Sequence, residues 1–172
     1  MDYFFSQIIL DLQNRISAEV PEILLIDQDL GQLGQTDEHE RPAIVSPAVL
    51  IDFPDADYSE IADGAQLGLI QISFQLIFAG YSQTGHKSPE AVKKKGLEYL
   101  NIEQKLHNCL QKWHLDYFTP LTRTKIRSQN NNDIGLRVRH LTYTTSYEDY
   151  SVINNDEEKE FTISFNGSLN TN

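Results

Sequence analysis

The clearest pattern in the chain is an alternation of apolar and polar residues between Gly68 and Gly80. Its apolar positions would share one face of an extended strand: Ile70, Ile72, Phe74, Leu76 and Phe78. Its polar positions would share the other face: Gln71, Ser73 and Gln75. The pattern predicts a strand near the centre of a sheet, with one covered face and one face that is wet or packed against a neighbouring subunit.

Two amphipathic helices are predicted to accompany this strand. The first would begin at Asp2 and end before Pro21, with apolar residues at steps of three and four: Phe5, Ile8, Ile9, Leu12 and Ile16. The second would begin near Pro89 and divide at Gly96, and its apolar stripe contains Ile102, Leu106, Cys109, Leu110 and Trp113. We expect the second helix to cover the apolar face of the sheet and the first to lie on a sheet or another protomer.

The remaining segments predict short strands and loops. Residues 23–26 and 43–53 are apolar enough for strands, although Pro47 inside the second indicates an edge position or a bulge. The acidic residues 52–63 are expected to form an exposed connection, and residues 161–165 a short last strand. Residues 27–41 and 150–172 are expected to be loops or loosely ordered.

A long β-hairpin is predicted from Phe118 to Asp149, with a turn in the Asn-rich residues 130–133. In its return strand the apolar positions change face, because Leu141 comes three positions after Val138, an odd offset. This slip predicts a β-bulge at residues 139–140. The chain as a whole is expected to be a single α+β domain over residues 1–172, with a mixed or antiparallel twisted sheet, two helices on one face and a long protruding hairpin.

Charge adds a second reason to single out the hairpin. The chain has 14 Lys and Arg against 25 Asp and Glu, for a net charge of −11, which argues against general binding to nucleic acids or anionic membranes. The hairpin nevertheless carries five bases: Arg123, Lys125, Arg127, Arg137 and Arg139. On extended strands the first three are predicted to project from one face, as are the last two. A basic hairpin on an acidic body suggests contact between copies of the chain, while the alternative is that these residues only solubilise the hairpin.

The candidates for catalysis and metal binding are weaker. The five histidines are scattered without zinc-ligand spacing, and the acids around Asp55 lack the pattern of a calcium loop. Cys109 falls on a buried helix stripe, where thiols are inert. Glu90 and residues 93–95 (Lys-Lys-Lys) were weighed as parts of a metal-dependent nuclease, but they would lie at a helix start and not at adjoining strand ends. We therefore predict no enzyme, no catalytic residue, no metal and no cofactor.

Several sequence features bear on the cellular location of the protein. A single cysteine fits synthesis in a reducing cytoplasm, and the first residues lack the basic region of a signal peptide. No stretch approaches the roughly 20 apolar residues of a membrane span. We expect a soluble protein with no membrane partner.

The order of elements resembles the tail terminator, or tail-completion, proteins of long-tailed bacteriophages and prophages. The resemblance is carried by the predicted helix Tyr3–Val20, the strand Leu69–Ala79, the helix Ile102–Trp113 and the hairpin Phe118–Asp149. It implies a minor tail protein of the virion, made in the bacterial cytoplasm, that forms a ring, commonly a hexamer, on the tail tube. Such a ring ends tube growth and binds a head–tail connector, without sequence-specific binding of nucleic acid.

Within that resemblance the partners would be a second copy of the chain, the tail tube protein and the connector protein. The candidate interface residues are Arg123, Lys125, Arg127, Arg137, Arg139, Gln71, Ser73 and Gln75. Two alternatives remain open from the sequence: another neck or baseplate adaptor of similar architecture, and the metal-dependent nuclease.

Overall fold

The computed structural model describes residues 3–34, 44–80, 84–129 and 135–152. The helices are α1 (Phe4–Glu19), α2 (Glu90–Gly96) and α3 (Glu98–Leu110), with a short 3-10 helix at Gln32–Gly34. The strands are β1 (Leu25–Gln28), β2 (Ala48–Ala62), β3 (Ala65–Ala79), β4 (Thr122–Gln129) and β5 (Leu136–Asp149). Over the described residues these strands form a five-stranded sheet in the order β1-β2-β3-β5-β4. Only β1 and β2 pair in parallel, so the predicted α+β class with a mixed sheet is confirmed.

The main core lies between the sheet and the helices α1 and α3. The apolar face of β3 is fully buried there, as predicted, together with the inward stripe of α1 and with Leu106 and Leu110 of α3. Aromatic rings join the layers, since Phe4 stacks on Tyr147 with ring centroids 3.7 Å apart. The predicted division of the second helix at Gly96 is confirmed, because α2 ends at that residue. We call the sheet surface under these helices the helix face.

A second, smaller core covers one end of the opposite face. Ala48, Leu50, Ile77 and Val138 are buried there, with Leu33 and Ile44 packed over them. This core explains the change of parity in β5: Val138 belongs to the small core, whereas Leu141 belongs to the main one. The predicted bulge at residues 139–140 is wrong, because β5 pairs with β3 residue for residue along its whole length.

The acidic segment 52–63, expected to be a connection, is a strand. β2 continues to Ala62 and pairs with β3 up to a turn at Asp63 and Gly64, both of which have positive φ. The strand starts after Pro47, so the proline does not interrupt it. The local composition argued against a strand, but β3 offers backbone partners along most of the segment, with register shifts between Asp52 and Asp55 and between Glu60 and Ala62, and the acidic side chains lie on a solvated face.

The basic hairpin is built into the sheet, with β5 between β3 and β4. Within the expected loop at 27–41, residues 27–28 belong to β1 and residues 32–34 to the 3-10 helix, while residues 35–41 lie outside the described residues. The predicted last strand at 161–165, the C-terminal tail and the turn at 130–133 lie outside the described residues. None of the helices within the described ranges is long and apolar enough to cross a membrane.

Candidate functional site

The surface with the most unusual composition is the part of the sheet that lies opposite the helices and beyond the small core. We call it the open face. Its β3 residues are the half-buried Gln71, Ser73 and Gln75 and, toward the start of the strand, Leu67 and Leu69, which are 40% and 52% exposed. The alternation of β3 therefore places its polar residues where the sequence predicted, on the face that the helices leave uncovered.

The β4 side of the open face is basic. Lys125 lies opposite Thr142 of β5, and Arg127 lies opposite His140; both basic side chains are exposed. Together with Gln71 and Ser73 these residues line a shallow depression of about 410 Å³. The structure thus brings two of the five predicted basic residues together with two of the three predicted polar residues. We call Lys125 and Arg127 the basic row.

The β2 side of the open face is acidic. Asp52 pairs with Ser73, Asp55 with Gln71 and Asp57 with Leu69. Because directly opposed residues in an antiparallel pair project from the same face, these three carboxylates lie on the open face. All three residues are exposed. We call them the acidic row.

The two rows are too far apart to neutralise each other within one chain. They lie on β2 and β4, which are separated by β3 and β5, so three steps of about 4.8 Å place them roughly 14 Å apart. This exceeds the Debye length of about 8 Å at physiological ionic strength. Among the described residues, no salt bridge involves a member of either row. The open face is consequently polarised across its strands, from negative on β2 to positive on β4.

The other three basic residues lie on the helix face, so the prediction that Arg123 shares a face with Lys125 and Arg127 is wrong. A register shift between Arg123 and Lys125 turns Arg123 toward Tyr143 and away from the basic row. In β5, Arg137 and Arg139 pair with Phe78 and Leu76, whose side chains are buried on the helix face. The bulge that sequence reasoning placed in β5 therefore occurs in β4, where it divides the positive charge between two faces.

On the helix face Arg139 is held by its own chain. Its Nε donates to Glu103 Oε2 at 2.5 Å and its Nη2 donates to Glu103 Oε1 at 3.0 Å, and Nη1 also donates to Ser128 Oγ. The guanidinium of Arg137 lies 4.2 Å from the centre of the Tyr99 ring, a cation–π distance. Arg137 and Arg139 thus fasten α3 to β5.

Two histidines flank the strands of the hairpin. His140 lies on the open face beside Gln129, whose Oε1 is 2.9 Å from His140 Nε2, and burial lowers its pKa. His107 of α3 places Nδ1 2.9 Å from the hydroxyl of Tyr143. Burial, and then the charge of Arg123, lower the pKa of His107. Burial raises the pKa of Tyr143 to about 12. These groups belong to the packing of the sheet and are not arranged around a common cavity.

The structure gives little support for catalysis. Within the described ranges no group of three or more His, Cys, Asp or Glu side chains could hold a metal ion. Cys109 is buried, and burial raises the pKa of its thiol, so the thiolate form is disfavoured. Glu90 pairs with Lys94 at 2.8 Å on the exposed surface of α2, one turn apart, so these residues lie at the start of a helix, as predicted.

Sequence reasoning missed two parts of this arrangement. The acidic row carried a detectable signal, since Asp55, Asp57 and Ser59 recur at every second residue, as in a half-exposed strand. Glu103 carried none, because its partner Arg139 is 36 residues away and the ion pair depends on the docking of α3.

Comparison with known proteins identifies no family. No family model matches the sequence, and no curated protein matches it. Among solved structures, the chain is similar to a chain described as "Virion of native gene transfer agent (GTA) particle", with a TM-score of 0.49 and 9% sequence identity. The match covers 86% of this chain and 100% of that chain. At this level of similarity the function of the neighbour does not carry over.

Proposed function

We propose that this chain is a structural protein of a phage tail that assembles as a ring at the end of the tail tube, ends tube growth and binds the head connector. The observation that carries the proposal is the polarised open face. A sheet face with unpaired charge of opposite sign on its two sides fits a heterologous contact, in which one side of each copy meets the other side of the next. The order of helices and strands, which resembles that of tail terminator proteins, also supports the proposal.

The charge distribution supports self-association. Acidic and basic rows about 14 Å apart have no salt-bridge partner among the described residues of one copy, and a neighbouring copy would bring the opposite row within contact distance. A closed ring results when the rotation between neighbours closes. The interface residues of this proposal are Lys125 and Arg127 with Gln71, Ser73 and Gln75. Arg123, Arg137 and Arg139 leave the set of interface candidates because their side chains lie on the helix face.

Deletion of the gene from the genome that carries it tests the role at the tail end. Electron microscopy of the particles should reveal tubes of uncontrolled length without attached heads. Complementation with Lys125→Glu/Arg127→Glu should fail to correct this defect. The matched control is Lys94→Glu/Lys95→Glu, which makes the same change in charge on the exposed surface of α2 and should complement. Tails of normal length with heads attached in the deletion strain would refute the proposed function.

Light scattering on the purified protein provides an independent test of self-association. The wild-type chain should form larger species at high concentration and low ionic strength, and these should dissociate as salt screens the rows. The Lys125→Glu/Arg127→Glu variant should remain smaller under the same conditions. Equal association of wild type and variant would exclude the basic row from the interface.

A further inference from the structure

In the described part of the chain, both sides of the sheet end in a strand edge without a strand partner. There β4 pairs only with β5, so no described strand lies on its outer edge. On the other side β1 pairs with Ala48–Ile51 of β2, and no described strand lies on the outer edge of residues 55–62. Near the start of β4 the edge is closed, because the N–H of Arg123 donates to Gln111 Oε1 at 3.0 Å. The available edge of β4 is therefore residues 125–129.

The two available edges carry opposite charge with the same spacing. On β4 the basic row consists of Lys125 and Arg127, two residues apart. On β2 the acidic row includes Asp55 and Asp57, also two residues apart. All four side chains project from the open face. Two strands placed side by side would bring these charges directly opposite each other, an arrangement that stabilises cross-strand pairs.

The topology also fixes the relative direction of the two edges. From β2 to β3, β5 and β4 the chain reverses direction at each of three antiparallel pairings, so β4 runs antiparallel to β2 within one copy. In a cyclic ring whose axis lies roughly along the strands, every copy keeps the same direction relative to the axis. The β4 edge of one copy would therefore meet the β2 edge of the next in antiparallel orientation.

We infer that the sheet continues from one copy to the next, with residues 125–127 of β4 in one copy added antiparallel to residues 55–57 of β2 in its neighbour. Lys125 then lies opposite Asp57, and Arg127 lies opposite Asp55. Backbone hydrogen bonds between the strands supply affinity, and the charged pairs set the register. The inference rests on the proposed function for its partner, a second copy of the chain, and specifies how the copies join.

Charged residues on an edge strand can also serve only to prevent unwanted pairing. That role requires charge on each edge, but it does not require opposite signs, equal spacing and a common face. The matched rows therefore favour a specific pairing over simple protection of the edges.

A disulfide trap tests the register. In a Cys109→Ala background, the Asp57→Cys/Lys125→Cys protein should form a ladder of cross-linked species under mild oxidation, because opposed residues in an antiparallel pair lie about 5 Å apart. Closure within one chain is excluded, since the two positions are separated by roughly 14 Å and a disulfide needs Cα atoms closer than about 7 Å. The matched control is Asp57→Cys/Ser128→Cys, in which the second thiol lies on the helix face.

A charge exchange tests the pairing without new thiols. Asp55→Lys/Asp57→Lys and Lys125→Glu/Arg127→Glu should each lose association, because each variant places like charges at the junction. An equimolar mixture of the two should recover association, since each junction between one variant and the other joins rows of opposite charge, so that the two variants alternate. Failure of the mixture to recover, with both variants folded by circular dichroism, would overturn the inference.

The outcomes separate the inference from the proposed function. A ladder in Asp57→Cys/Lys125→Cys, but not in the control, supports sheet continuation. Association by light scattering without that ladder overturns it and leaves ring assembly in place. A monomer at low ionic strength without a ladder also overturns it, while the gene deletion still decides the role at the tail end. An intrachain disulfide in Lys125→Cys/Ser164→Cys overturns it too, because the C-terminal residues of the same chain would then cover the β4 edge.

Discussion

Removal of the charge at position 139 should destabilise the fold. The perturbation is Arg139→Met, which keeps the length of the side chain but leaves Glu103 without its partner. The side chains of Arg139 and Glu103 are only 20% and 11% exposed, and two hydrogen bonds join them. The ion pair therefore differs from surface pairs, which typically contribute less than about 1 kcal/mol.

The magnitude follows from the carboxylate that is left behind. Breaking a fully buried pair by removing one partner costs about 3–5 kcal/mol. Because both groups here retain some contact with water, we expect a loss of about 2–3 kcal/mol in the free energy of unfolding. For a domain of this size, 1 kcal/mol corresponds to about 2–4 °C, so the melting temperature should fall by about 4–12 °C.

Urea and thermal unfolding followed by circular dichroism measure this loss, with Lys125→Met as the control. The control removes one exposed positive charge from a strand and should change the free energy of unfolding by no more than about 0.5 kcal/mol. Adding Glu103→Leu to Arg139→Met should recover most of the stability, because no buried carboxylate remains unpaired. Two results together would refute the assignment of Arg139 to the fold. The first is a loss of unfolding free energy for Arg139→Met equal to that for Lys125→Met, and the second is no recovery when Glu103→Leu is added.

Three further predictions concern packing and protonation. Gly68→Ala should lower the free energy of unfolding in urea by about 1–3 kcal/mol, because the added Cβ would lie 2.7–2.9 Å from two tyrosine rings. Gly34→Ala is the control and should leave stability unchanged, since an added Cβ there meets nothing within 4 Å. Equal effects of the two substitutions would contradict the close contact at Gly68. Cys109 should resist a thiol reagent in the native protein and react on unfolding, and rapid native labelling would contradict its burial. Burial lowers the pKa of His107 and His140, so the unfolded state takes up protons first as the pH falls below about 6.5. The melting temperature should accordingly decrease on acidification from neutral pH, and replacing both histidines with Gln should weaken this decrease over the same interval.

Much of the fold could be predicted because its strongest signals are local. The alternation in β3 and the stripes of α1 and α3 depend only on which residues face the core, and burial confirms all three. Gly96 ends α2 as predicted, at a residue whose backbone freedom weakens a helix. These features need no information about distant residues.

The errors arose where distant residues decide the outcome. The acidic half of β2 is a strand because β3 pairs with it, although its own composition favours a loop. The change of face between the apolar residues of β5 indicates a bulge only if a single face of the sheet is apolar. Two cores on opposite faces produce the same sequence pattern without a bulge. In β4, one extra residue before Lys125 reverses the face of Arg123, and alternation of polar residues alone gives no sign of it.

The distribution of the two cores connects these findings to the candidate interface. At the end of the sheet near Val138 both faces are covered, so β2, β3 and β5 are held by side-chain packing on either side. Toward Leu69 the described residues cover only the helix face, and there β2 extends beyond β1 with its carboxylates exposed. Backbone pairing fixes the spacing of the strands, and that spacing in turn fixes the separation of the basic and acidic rows. A rigid separation lets one copy present both rows at once to two neighbours, as a closed ring requires.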